Sequence, residues 1–164
     1  MDKPGGRLRA LILLLAVSGA LLFEVRPALR GDTSASPDPW TKAEVVTPAQ
    51  VAAELRSGTA RKTKTVCVGF DFMYRSAHIP GAIYLGPGRE AAGIERLKTW
   101  AASTRKNEPV LLYCGCCPMA HCPNLRPAFR ALKDLGFTRL KIIDIPNDFA
   151  RDWKAKGLPT EKRQ

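Results

Sequence analysis

Four of the chain's five cysteines fall within nine residues, Cys114-Gly115-Cys116-Cys117-Pro118-Met119-Ala120-His121-Cys122. Thiolates are nucleophiles, redox groups and soft metal ligands, so this stretch is where chemistry is expected. Cys114 closes the apolar run Val110-Leu111-Leu112-Tyr113, and a helical pattern from Leu125 to Leu135 begins just after the loop. A thiol at the carboxyl end of a buried strand, ahead of a helix N-terminus, sits where α/β proteins bind ligands. Unpaired N–H groups and the helix dipole there favour an anion, so Cys114 is expected to titrate below a free cysteine. Arg126, in the first helical turn, is a candidate partner for an anionic substrate. The loop also offers a second chemistry. Cys114, Cys116, Cys117, His121 and Cys122 are soft and borderline ligands suited to Zn²⁺ or Cu(I), although C-x-C-C-x₄-H-C is not a standard zinc spacing. Cys116 or Cys117 could instead resolve an oxidised or sulfur-loaded Cys114.

The elements that must position this loop alternate. Thr47-Pro48 reads as an N-cap and first helical residue, starting a helix through Leu55 that Gly58 stops. Strand-like runs follow at Thr65–Val68 and Ala82–Leu85, with Cys67 read as packing in the first of them. A helix carries Ile94, Leu97, Trp100 and Ala101, and strands are expected at Val110–Tyr113 and Leu140–Ile143. Asn124 reads as the cap of the helix after the loop, and a last short helix spans Asp148 to Lys156. Short apolar strands alternating with amphipathic helices predict a parallel sheet with helices on both faces.

Residues 1–25 read as a targeting segment. Lys3, Arg7 and Arg9 precede the apolar stretch Ala10–Phe23, which is shorter than the roughly 20 residues a spanning helix needs. Ser18-Gly19-Ala20 offers small residues for cleavage. Either as a signal peptide or as an uncleaved anchor, the segment exports the domain to a periplasmic or extracytoplasmic space, with membrane contact only in the uncleaved case. Residues 26–41, with three prolines, read as a linker, and residues 42–164 as the single folded domain. The formal net charge of +11 is dispersed in small groups, which suits steering of small anions. No basic helix with interleaved aromatics marks a nucleic-acid partner.

Two separated segments carry a family resemblance. His78-Ile79-Pro80-Gly81-Ala82-Ile83 resembles the His-Ile-Pro-Gly-Ala motif of rhodanese-like domains. The order after it is similar too: Val110–Tyr113, Cys114, a loop, the helix ending Leu135-Gly136-Phe137, and Trp153 before Gly157-Leu158-Pro159. The resemblance covers residues 45–160. It implies an α/β fold around a five-stranded parallel sheet, and a transferase that moves sulfane sulfur through a persulfide on Cys114. A small anionic sulfur donor and a thiol-type acceptor are then the partners, and no cofactor is needed. Gly115, Cys116, Cys117, His121, Cys122 and Arg126 would line the site, while His78 and Gly81 would be structural. The sequence departs from the family pattern in two places. The loop after Cys114 is longer and cysteine-rich, and Cys67 and Gly69 stand where the family usually has the aspartate and arginine of Asp-x-Arg. Two other function classes remain alongside sulfur transfer: a metal-binding module using the Cys/His loop, and a thiol–disulfide redox protein.

Overall fold

The computed structural model describes residues 38–163. The targeting segment read for residues 1–25, and most of the 26–41 linker, lie outside the described residues.

Five strands form one all-parallel sheet: β1 (Val45–Val46), β2 (Lys64–Cys67), β3 (Ile83–Tyr84), β4 (Val110–Tyr113) and β5 (Leu140–Ile143), in the spatial order β1-β5-β4-β2-β3. β4 is central and buried along its whole length. That is why it reads as an unbroken apolar run and not as an alternating one. The side-chain period of two sends Val110, Leu112 and Cys114 to one face, with Val66 of β2 and Val68 just beyond it, and sends Leu111, Tyr113 and Cys67 to the other. The first face packs against α3 (Ala91–Ala102) and α4 (Leu125–Asp134) through Leu97, Ala101, Ala128, Phe129 and Leu132. The second packs against α1 (Pro48–Ser57), α2 (Asp71–Ser76) and a π-helical turn, Ala150–Lys154, through Val51, Ala52, Tyr74, Phe149 and Trp153. Helices therefore cover both faces, as the sequence predicts. No helix among the described residues is long and apolar enough to cross a membrane.

The local signals mostly act where they were expected, with several differences. Thr47 caps α1, accepting from the Gln50 N–H at 3.2 Å while Gln50 Oε1 accepts from Thr47 N at 2.8 Å, and Gly58 ends the helix at φ 74°. The expected helix Asp148–Lys156 is only the π-helical turn at 150–154. β1 and α2 were not foreseen: a two-residue edge strand has no periodicity, and α2 buries one side chain, Tyr74, while Phe72 stays 68% exposed. Trp40, read as linker, is buried against Phe129, their ring centroids 5.5 Å apart, so the packed domain starts ahead of residue 42.

Candidate functional site

Cys114 follows β4 at the carboxyl edge of the sheet and is 5% exposed. The chain turns at once through Gly115, whose φ of 75° is left-handed, and a Cβ there would stand 2.8 Å from the Cβ of Phe149. Glycine is required on both counts. The Phe149 N–H donates to the Gly115 carbonyl at 2.9 Å, and the Met119 N–H to the Ile145 carbonyl at 3.0 Å, so the loop is pinned to the segment after β5. The Met119, His121 and Cys122 amides serve backbone carbonyls and so do not face Cys114 as anion donors.

What the loop builds instead is a sulfur cluster. Cys114 Sγ lies 3.0 Å from Cys116 Sγ, which lies 3.2 Å from Cys117 Sγ. Asn124, fully buried, donates through Nδ2 to Cys114 Sγ at 3.3 Å and to Cys116 Sγ at 3.5 Å. Its Oδ1 accepts the Arg89 N–H at 3.1 Å, which fixes the amide's orientation. The cap expected from this side chain is thus absent, and Asn124 is a thiol partner instead. The backbone N–H groups of Asn124 and Leu125 act on Cys122, so the helix N-terminus serves that sulfur.

The hydrogen bonds of the cluster favour a negative charge on Cys116 over the other three sulfurs. Hydrogen bonds from Cys114 and Cys122 pull its pKa down, against burial, with help from Cys117 and Asn124. Cys114 shifts up because its single thiol proton is held by the neighbouring Cys116 and Cys122 sulfurs and because it is buried. Cys117 is pushed up by burial and by its hydrogen bond to Cys116. Cys122 receives a hydrogen bond from Cys114, but donating to Cys116 and burial outweigh it, and its pKa also rises. The expectation that Cys114 itself holds the thiolate is therefore corrected: Cys114 is a thiol facing a thiolate.

Cys114 also borders a cavity of about 140 Å³ between α2 and the π-helical turn, lined from the other face of the sheet by Cys67, Tyr74, Tyr113 and Phe149, with Lys154 its one cation among the described residues. This cavity and its lysine were not legible from the sequence, where Lys154 reads as one of several dispersed surface charges. Asn124 was legible only as a cap.

No family model matches the sequence, and no curated protein matches it. Solved structures do match. The rhodanese-like domain of a protein from Anabaena sp is 21% identical, with a TM-score of 0.54 over 73% of this chain and 80% of that one. A protein from Bacillus halodurans is 20% identical, with a TM-score of 0.55 over 71% and 75%. A thiosulfate sulfurtransferase from Pseudomonas aeruginosa is 22% identical, with a TM-score of 0.52, over 73% of this chain but 19% of that longer one.

The fold is the rhodanese fold. On this rhodanese scaffold His78 and Gly81 do structural work. His78 Nδ1 bonds the Tyr74 carbonyl at 2.8 Å, its ring stacks on Tyr74 with centroids 3.9 Å apart, and its backbone pairs with Glu161. Gly81 takes φ 72°, and its N–H donates to Glu161 Oε2 at 3.0 Å. Gly69 stands where rhodanese-like domains usually have an arginine. A Cβ there would lie 2.6 Å from the Cys114 carbonyl oxygen, so no side chain fits this close approach of β2's end to the loop. Cys67 faces away from Cys114's side of the sheet; it is 2% exposed, and burial pushes its pKa to about 11, as suits a packing residue.

Two expected site residues are not gathered in. His121 is exposed on the turn Met119–His121 and outside the thiol cluster. Arg126 pairs with Asp38 at 2.5 Å, donates to the Ala120 and Cys122 carbonyls at 2.8 and 3.2 Å, and lies over Trp40. Its guanidinium clamps the loop to the segment before β1 and is not turned to a substrate anion.

Proposed function

We propose that this domain is a sulfurtransferase that carries sulfane sulfur as a persulfide on Cys114, with Cys116 as its base. The observation that carries this reading is the contact of Cys114 Sγ with Cys116 Sγ, 3.0 Å apart at the end of β4, where the hydrogen bond lowers the Cys116 pKa and raises that of Cys114. A donor such as thiosulfate enters the cavity that Cys114 lines, drawn by Lys154. Cys114 attacks the outer sulfur while its proton passes to Cys116 Sγ. The S–S bond of thiosulfate breaks, sulfite leaves with the electron pair, and Cys114–S–S⁻ remains beside a neutral Cys116 thiol. An acceptor thiolate then attacks the outer persulfide sulfur. Cys114 departs, recovers its proton from Cys116, and the acceptor leaves as its persulfide. The Asn124 amide donates to the changing charge on both sulfurs throughout.

The targeting segment supports placing this chemistry outside the cytoplasm, with a small anion as donor and a thiol as acceptor. Single-turnover sulfite release tests the assignment of roles. Cys114→Ser should release none, and Cys116→Ser should still release sulfite but roughly 10²-fold to 10⁴-fold more slowly, the usual contribution of a positioned base. An unchanged rate in Cys116→Ser would remove it from the mechanism.

A further inference from the structure

The sulfurs of Cys114, Cys116 and Cys122 all lie within 4.8 Å of one another, and no other such group of Cys, His, Asp or Glu comes together among the described residues. A cation about 2.3 Å from each of three sulfurs holds them about 4 Å apart. The closest pair here, at 3.0 Å, and the outer limit of 4.8 Å bracket that spacing. Cys114 directly follows β4, Cys116 lies in the loop pinned to the segment after β5, and Cys122 follows the turn Met119–His121, two residues ahead of Asn124. Each is therefore held in place independently of a metal.

We propose that these three cysteines form a trigonal, all-sulfur site for a single Cu(I) ion. The donor set selects the metal. Thiolates are soft ligands that favour Cu(I). Structural Zn²⁺ sites are tetrahedral and need a fourth protein ligand. His121, the nitrogen donor that would complete one, is exposed and outside the cluster, and the Cys117 sulfur contacts Cys116 without joining the trio. Cys114 and Cys122 are buried and Cys116 is half-buried, so most of the trio's surface is shielded from water. Asn124 Nδ2 donates to two of the sulfurs, and the N–H groups opening α4 serve the third, so the excess negative charge of a Cu(I)–trithiolate meets N–H donors around it. Any proton still on the three sulfurs passes to solvent as the S–Cu bonds form, and copper stays Cu(I) throughout.

The test is an anaerobic titration of the reduced full chain, never exposed to a sulfur donor, against the coloured Cu(I)–bicinchoninate complex. The wild type should withdraw one equivalent, and X-ray absorption of the product should show a shell of sulfur with no nitrogen. Cys122→Ser should withdraw none, and as a near-isosteric change it should keep a thermal melt close to that of the wild type. Cys117→Ser should withdraw one equivalent, and Asn124→Ala should bind roughly 10-fold to 100-fold more weakly, as for lost support of metal ligands. Failure of the wild type to compete, full withdrawal by Cys122→Ser, loss of binding in Cys117→Ser, or blockade by equimolar Zn²⁺ would each overturn the site. Because no sulfur donor is present, the result stands apart from whether Cys114 carries a persulfide.

Discussion

Asn124 and Cys114, ten residues apart, meet through a single hydrogen bond, Nδ2 to Sγ at 3.3 Å, while the other end of the same amide holds the Arg89 N–H at 3.1 Å. The amide therefore has two separable duties. Asn124→Asp keeps an acceptor for Arg89 but loses the donor to the sulfurs, and it sets a carboxylate beside Cys116. It should fold, and its sulfur loading should be slowed at neutral pH. Asn124→Ala also strands the Arg89 N–H, and should lose about 1–3 kcal/mol of stability in addition. Equal loading by Asn124→Asp and the wild type would show that the amide does not support the thiolate.

The order of the thiols in a pH titration follows from their hydrogen bonds. A lowered pKa leaves Cys116 a thiolate at pH values below the roughly 8.5 of a free cysteine, and a raised one keeps Cys114 a thiol above it. In reduced protein treated with chelator, alkylation read by peptide mass spectrometry should mark Cys116 first as pH rises, and Cys114 only at alkaline pH. Alkylation of Cys114 ahead of Cys116 would reverse the assignment of base and nucleophile.

Lys154 is the only cation lining the cavity that reaches Cys114, and its side chain is exposed. An exposed charge contributes no more than about 1 kcal/mol, so Lys154→Ala should raise the half-saturating thiosulfate concentration by at most about fivefold. Added salt should erase the difference, since screening removes the same attraction from the wild type. A wild-type constant that ignores salt and the substitution alike would place the donor's entry elsewhere.

Trp153 is fully buried, stacks on Phe149 with centroids 5.7 Å apart, and donates Nε1–H to the Pro159 carbonyl at 2.8 Å. Phe149 in turn packs against Gly115, so this ring supports the start of the loop. Trp153→Ala should cost about 3–5 kcal/mol, measured by chemical denaturation, a large share of a typical domain's stability. A loss under 1 kcal/mol would mean the terminal turn is not coupled to the core.

The fold was legible because its central strand is buried on both faces. Val110-Leu111-Leu112-Tyr113 has no polar position to confuse the reading, and His78-Ile79-Pro80-Gly81 marks a turn that hydrogen bonds to Glu161 hold in place. The edges were not legible. Val45–Val46 is too short to show a period, and α2 has almost no buried face. In the site, adjacency in sequence misled. Arg126 follows the loop directly, yet its partner is Asp38, 88 residues earlier. His121 neighbours Cys122 and still points outside the cluster. Which sulfur carries the charge depends on which thiol lies between the others, and a run of cysteines does not encode that order.

The most direct measurement is site-resolved mass spectrometry of reduced, metal-free protein after incubation with thiosulfate and trapping of persulfides, with cyanide treatment as the control. The account predicts one added sulfur per chain, located on Cys114, removed by cyanide and absent from Cys114→Ser. A chain that gains no sulfur, or carries equal labile sulfur after Cys114→Ser, would contradict it.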